Sequence, residues 1–162
     1  MLDYGKYKLA KELLLFSTKT LKQYSSEVHR RMFLINLGIA YKALGESEKL
    51  EEILTNEDWS ASSNEFQLAV VVLRKDYESA SKLMIKIGDK SKPSKIEYSA
   101  WPLFNDFRKT SQFLKTYKKV FATEFVLEEE SPIKVGKKKK VDMSKQNIIE
   151  KSKVKAKPKS KE

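Results

Sequence analysis

The sequence has no cysteine, one histidine, four prolines and only five glycines in 162 residues. Without cysteine there are no disulfides, thiolate metal sites, iron–sulfur clusters or cysteine nucleophiles, a composition that suits a reducing compartment. A single histidine, His29, has no second imidazole with which to share a metal. Long hydrophobic runs are also missing. The longest apolar stretch is the six residues from Leu68 to Leu73, and the N-terminus, Met-Leu-Asp-Tyr-Gly-Lys, lacks the basic and then apolar pattern of a signal peptide. Neither an exported chain nor a transmembrane one is expected, and the expected location is the cytoplasm.

The chain has abundant charge, unevenly placed. The net charge is +11. Residues 131–162 hold twelve lysines against Asp142, Glu150 and Glu162, an excess of nine, which leaves only two net positive charges for residues 1–130. The basic character therefore belongs to a lysine-rich tail, 127–162, with too few apolar residues to offset the entropy of ordering it, and disorder is expected there. The body, 1–126, is long enough for one core.

In that body apolar residues recur at three and four positions, with few glycines or prolines between, which predicts helices. The expected spans are about 4–24, 27–44, 47–56, 64–74, 76–88 and 110–122, with a short proline-started helix near 101–108. Val70-Val71-Val72 favours a strand taken alone, but the Phe66, Val70, Leu73 stripe ahead of Lys75-Asp76 favours a buried helix. Ser25 or Ser26 is suited to cap the second helix, Gly45 and Gly88 to end helices, and Pro102 to open one. The aromatic run Trp101, Phe104, Phe107, Phe113, Tyr117, Phe121 and Phe125 reads as a cap closing the fold over about 98–125, since rings at helical spacing are usually core. The alternative is a peptide-binding or base-stacking surface with Arg108, Lys109, Lys115, Lys118 and Lys119 nearby.

The segment from Leu34 to Leu50, with Leu37-Gly38, Tyr41, Gly45 and Leu50, resembles a tetratricopeptide repeat. Gly38 would let two helices approach, Tyr41 would fill the space beside it, Gly45 would permit the turn, and Leu50 with Leu54 would pack the second helix back on the first. Gly5-Lys6-Tyr7-Lys8-Leu9-Ala10 and Lys75-Asp76-Tyr77-Glu78-Ser79-Ala80 echo the turn and second helix. Ala10, Leu50 and Ala80 lie 40 and 30 residues apart, so the repeats are irregular against the usual period of about 34. The resemblance implies an all-α fold of antiparallel helix pairs stacked as a short right-handed solenoid. The first echo begins at its turn, so the expectation is either an incomplete first repeat or the C-terminal part of a longer array, with an open N-terminal helix face available to a partner or to self-association.

The motifs of catalysis fail one by one. His29 stands beside Arg30 and Arg31 at a helix start; Glu51-Glu52 and Glu128 to Glu130 are adjacent carboxylates that diverge on a helix; Gly88-Asp89-Lys90-Ser91 lacks the first glycine of a phosphate loop; and Ser60, Ser62 and Ser63 have no evident base. No enzyme, cofactor or metal is expected. In tetratricopeptide domains that bind peptides the partner lies in the groove of the first helices, so the resemblance points to Asn36, at the family's clamp asparagine, and to Lys42. Phe66 stands where a following repeat would supply a basic clamp residue, which speaks against carboxylate clamping. Trp101 and Arg108 complete the candidate partner-binding set. In the tail, Lys137, Lys138, Lys139 and Lys140 resemble a nuclear import signal for a eukaryotic chain, and with Lys153, Lys155 and Lys157 they suit weak, salt-sensitive polyanion binding. The expected function is a non-enzymatic interaction or scaffold module for a protein or peptide. The alternatives are a nucleic-acid accessory protein working through its tail, and a detached helical domain of a larger regulatory or defence protein.

Overall fold

The structure is a computed structural model that describes residues 1–20 and 24–126, and among these residues every regular element is helical. After a single 3-10 turn, Leu2–Tyr4, come α1 (Tyr7–Thr20), α2 (Glu27–Ala43), α3 (Ser47–Thr55), α4 (Asn64–Leu73), α5 (Tyr77–Ile87), α6 (Lys95–Ala100) and α7 (Ser111–Phe121). Two further 3-10 turns, Pro102–Phe104 and Phe107–Lys109, join α6 to α7. The helices belong to one compact unit, Met1–Leu127; the remaining residues, and with them the expected tail, lie outside the described residues.

Local chemistry sets the ends. The Ser26 hydroxyl accepts from the His29 backbone N–H at the start of α2, Asp76 from Ser79 at the start of α5, and Thr110 from Phe113 at the start of α7. Each satisfies one of the backbone donors that a helix leaves unpaired. Two expectations need correcting. The first helix begins at Tyr7, not near residue 4, because Gly5 takes a left-handed conformation (φ 66°) that ends the preceding turn. The proline-started helix near 101–108 is instead two 3-10 turns, separated at Asn105 and Asp106. Helix α6 was not expected at all, although its capping box is written in Ser94-Lys95-Ile96-Glu97: the Ser94 hydroxyl accepts from the Glu97 N–H, and the Glu97 carboxylate accepts from the Ser94 N–H at 2.7 Å.

Helix α2 is the centre of the packing. It contacts α1, α3 and α4, while α4 packs on α5 and α5 on α7. Gly38 makes this possible: a Cβ there would stand 2.9 Å from Leu73 Cδ1 on α4 and 3.3 Å from Leu50 Cδ1 on α3. Ile35, Ala40, Leu68, Ala69 and Val72 are wholly buried, so the valine run lies inside a helix whose tertiary contacts override its β preference. Most of the aromatic segment is buried too, with Trp101, Phe121 and Phe125 half-buried. Tyr98, Phe104, Phe107 and Phe113 have no exposed surface; Phe107 stacks on Tyr77 of α5 with ring centroids 5.2 Å apart, and Phe113 meets Phe125 edge-on at 5.1 Å. The four wholly buried rings hold α5, α6 and α7 together and offer no open face to a base.

Three turns share one backbone arrangement. Gly5, Gly45 and Lys75 all have positive φ (66°, 73° and 63°). The residue after each donates its N–H to the carbonyl five positions back: Lys6 to Met1, Glu46 to Tyr41, Asp76 to Val71. The turn residue itself donates three back, to Leu2, Lys42 and Val72 respectively. This is the Schellman pattern, and a new helix starts two residues beyond each turn. Five residues beyond it come Ala10, Leu50 and Ala80, all buried.

Candidate functional site

The sequence singled out Asn36, Lys42, Trp101 and Arg108, and the fold treats them differently. Asn36 projects from α2 into an open groove of about 480 Å³ whose wall includes Leu13 and Leu14 of α1, Phe33 of α2, and Trp101. Met1, Leu2 and Pro102 line it as well, and among the described residues Asp3 is its one charged lining side chain. Among the described residues neither the Asn36 amide nor the Trp101 indole N–H has a hydrogen-bond partner. Two residues 65 positions apart are thus brought to one apolar trough, each with unused polar capacity.

Lys42 lies one and a half turns further along α2, in a neighbouring cavity of about 210 Å³ lined also by Tyr7, Leu73, Leu103 and Asn105. Its ammonium group is committed: it donates to the Val72 carbonyl at 3.3 Å and pairs with Asp106 at 3.2 Å. The segment from Pro102 to Asp106 therefore lies against the α2–α4 face, anchored by the buried Leu103 and Phe104. Pro102 lines both cavities and divides them. The part of that face that Lys42 was expected to offer to a partner is covered by the chain itself, and the part around Asn36 is open.

Arg108 is an internal strut. Its guanidinium donates to the carbonyls of Tyr98 and Ser99 at the end of α6 and to the Asn105 amide oxygen. Burial pushes its pKa below the usual arginine value. A cation at a helix C-terminus satisfies orphan carbonyls and favours the dipole, so its role here is to end α6. Lys137, Lys138, Lys139, Lys140, Lys153, Lys155 and Lys157 lie outside the described residues.

Ion pairs link the helices around the groove. Lys11 of α1 donates to Glu46, before α3, at 2.6 Å; its hydrogen bond, and then that of Lys49, hold the Glu46 carboxyl below the usual range. Arg30 meets both oxygens of Glu57, at 2.7 and 2.6 Å, and Arg31 adds a third contact at 3.1 Å, tying α2 to the loop between α3 and α4. His29 is exposed, its Nδ1 close to the hydroxyls of Ser25 and Ser26. Among the described residues no three His, Asp or Glu side chains are grouped to hold a metal, and no helix is long and apolar enough to cross a membrane.

Residue-by-residue reading of the sequence missed the apolar walls, Leu13, Leu14 and Phe33. Their signal was present as an excess: Leu13-Leu14-Leu15-Phe16 is apolar around most of a helical turn, more than one buried face requires. No family model, no curated protein and no solved structure matches the chain.

Proposed function

We propose that this chain is a non-enzymatic protein-interaction module, built as a short right-handed stack of tetratricopeptide-like helix pairs, that takes a peptide segment of a partner in the Asn36–Trp101 groove. The repeat reading is supported by the identical hydrogen bonding at Gly5, Gly45 and Lys75 and by the close approach at Gly38. The observation that carries the functional reading is the groove itself: apolar walls for side chains, with an unpaired amide and an unpaired indole N–H for a peptide backbone. An asparagine amide can donate to a carbonyl and accept from an N–H of the same bound segment. Removing either group takes away one recognition element without unpairing a partner inside the fold.

The test is selection of short peptides from a displayed library against the full chain, followed by affinity measurement on Asn36→Ala and on Trp101→Phe, which deletes the indole N–H and keeps a ring against Phe104. The reading expects at least a tenfold loss with each variant at an unchanged unfolding midpoint. Selected peptides that bind both variants as tightly as the parent would overturn it.

A second reading is favoured by the sequence of residues 131–162, whose excess of nine positive charges suits tethering to a polyanion. It expects a mobility shift on generic RNA that weakens steeply with salt and vanishes on deletion of residues 131–162. Salt-insensitive binding, or none, would dismiss it.

A further inference from the structure

The three equivalent turns allow α1 to be compared position by position with α3 and α5. Inward positions agree: five residues after the turn stand the buried Ala10, Leu50 and Ala80, and nine after it the half-buried Leu14 and the buried Leu54 and Met84. Exposed positions do not. Four and eleven residues after the turn, α1 carries Leu9 and Phe16, where the other two units carry Lys49 and Asn56, and Ser79 and Lys86. With Leu13 between them, Leu9 and Phe16 form an i, i+4, i+7 stripe on one helix face, and all three are exposed, at 45%, 42% and 66%. Leu13 also lines the groove, so stripe and groove are continuous.

Charge changes sign over the same stretch. One and three residues after the turn, α3 is preceded and begun by Glu46 and Glu48, and α5 by Asp76 and Glu78; α1 has Lys6 and Lys8. The acidic pairs are what a helix N-terminus favours, and two lysines there oppose its dipole. Both are exposed, and among the described residues neither has an ion-pair partner. Apolar exposure and a repelled pair of cations both cost the isolated fold, and one ligand relieves both.

We infer that the α1 face Leu9–Leu13–Phe16 docks an acidic amphipathic helix of a partner protein, its apolar side chains on the stripe and its carboxylates on Lys6 and Lys8. This rests on the reading of the chain as an interaction module and adds the partner's chemistry. Residues 131–162 of the chain's own tail, with an excess of nine positive charges, have the wrong sign for Lys6 and Lys8. Helix-on-helix docking through i, i+4, i+7 anchors is a general recognition mode, and the lysines supply the selection against basic helices.

Three soluble helical peptides of about 15 residues serve as probes for the full chain in fluorescence anisotropy: leucine stripe with glutamate flanks, leucine stripe with lysine flanks, and serine in place of leucine with glutamate flanks. The last reads simple attraction of acid to the lysine tail. The expected result is at least tenfold tighter binding of the first peptide than of either control. Leu13→Ser with Phe16→Ser should reduce it to the serine control, and Lys6→Glu with Lys8→Glu should cut the preference for acidic over basic flanks at least tenfold. Equal binding of the leucine and serine peptides, or a preference untouched by either variant, would overturn the inference. So would a concentration-dependent dimer that Phe16→Ser disperses in sedimentation velocity, since the occupant would then be a second copy. Failure here leaves the groove reading separately testable, because library peptides can still depend on Asn36 and Trp101.

Discussion

Lys75 holds the same left-handed backbone as Gly45, φ 63° against 73°, at the same place in the same hydrogen-bonded turn. Glycine adopts that conformation freely, and a side chain does not: the left-handed region costs an L-residue on the order of 1 kcal/mol. Lys75→Gly should therefore stabilise the fold by about 0.5–1 kcal/mol, and Gly45→Ala should destabilise it by about 1 kcal/mol. Chemical denaturation read by circular dichroism measures both. Opposite signs for the two substitutions are the expected result.

At Gly38 the cause is space, since its backbone is ordinary helix. A valine would push its branches into Leu73 and Leu50, both buried, where α2 meets α4 and α3. Overpacking of this kind costs about 1–3 kcal/mol and outweighs the gain in helix propensity over glycine, so Gly38→Val should lower the denaturation midpoint. An unchanged midpoint would show that α2 and α4 do not approach as described.

Tyr98 is wholly buried among Phe104, Phe113 and Phe121, and among the described residues its hydroxyl has no hydrogen-bond partner. Tyr98→Phe removes an unsatisfied polar group without changing the ring and should stabilise the fold by about 1 kcal/mol. Burial also raises the Tyr98 pKa above the ordinary tyrosine value. A folded pKa raised in this way means that the stability is complete below the unfolded value of about 10 and declines as pH rises beyond it. Tyr98→Phe should accordingly flatten the alkaline side of the stability profile.

On the acid side the sign reverses. Hydrogen bonds from the Ser94 backbone hold Glu97 below the usual carboxylate range, and those from the Ser79 side chain and backbone do the same for Asp76. Lowered folded values contribute stability that is present above the unfolded pKa values of about 4 and is lost as pH falls through the folded ones. Glu97→Gln should remove part of that acid sensitivity, measured as the denaturation midpoint between pH 5 and 2, and Ser94→Ala should cost about 1 kcal/mol at neutral pH as the cap is lost.

The helical body was legible in the sequence because its signals are local: Ser26, Gly45 and Pro102 act on their immediate neighbours, and the spacing of Leu37, Tyr41, Leu50 and Leu54 encodes one buried face. Helix α6 was missed because its apolar pattern is only a turn long, and the capping box at Ser94 and Glu97 had to carry it. The site was half legible. Asn36 could be chosen from its repeat position, but its meeting with Trp101 depends on where the chain returns after four intervening helices, which no local pattern encodes. Lys42 and Arg108 looked free for the same reason: their partners, Asp106 and Val72 in one case and the α6 carbonyls in the other, are created by tertiary structure.

The central claim, that a partner segment lies in the groove between α1, α2 and Trp101, is most directly tested by amide and indole NMR shifts of the full chain during titration with a library-selected peptide. The account predicts that the largest shifts fall on Leu13, Leu14, Phe33, Asn36 and the Trp101 indole N–H, with α7 unmoved. Shifts confined to residues 131–162, with those groove signals unchanged at saturation, would contradict it.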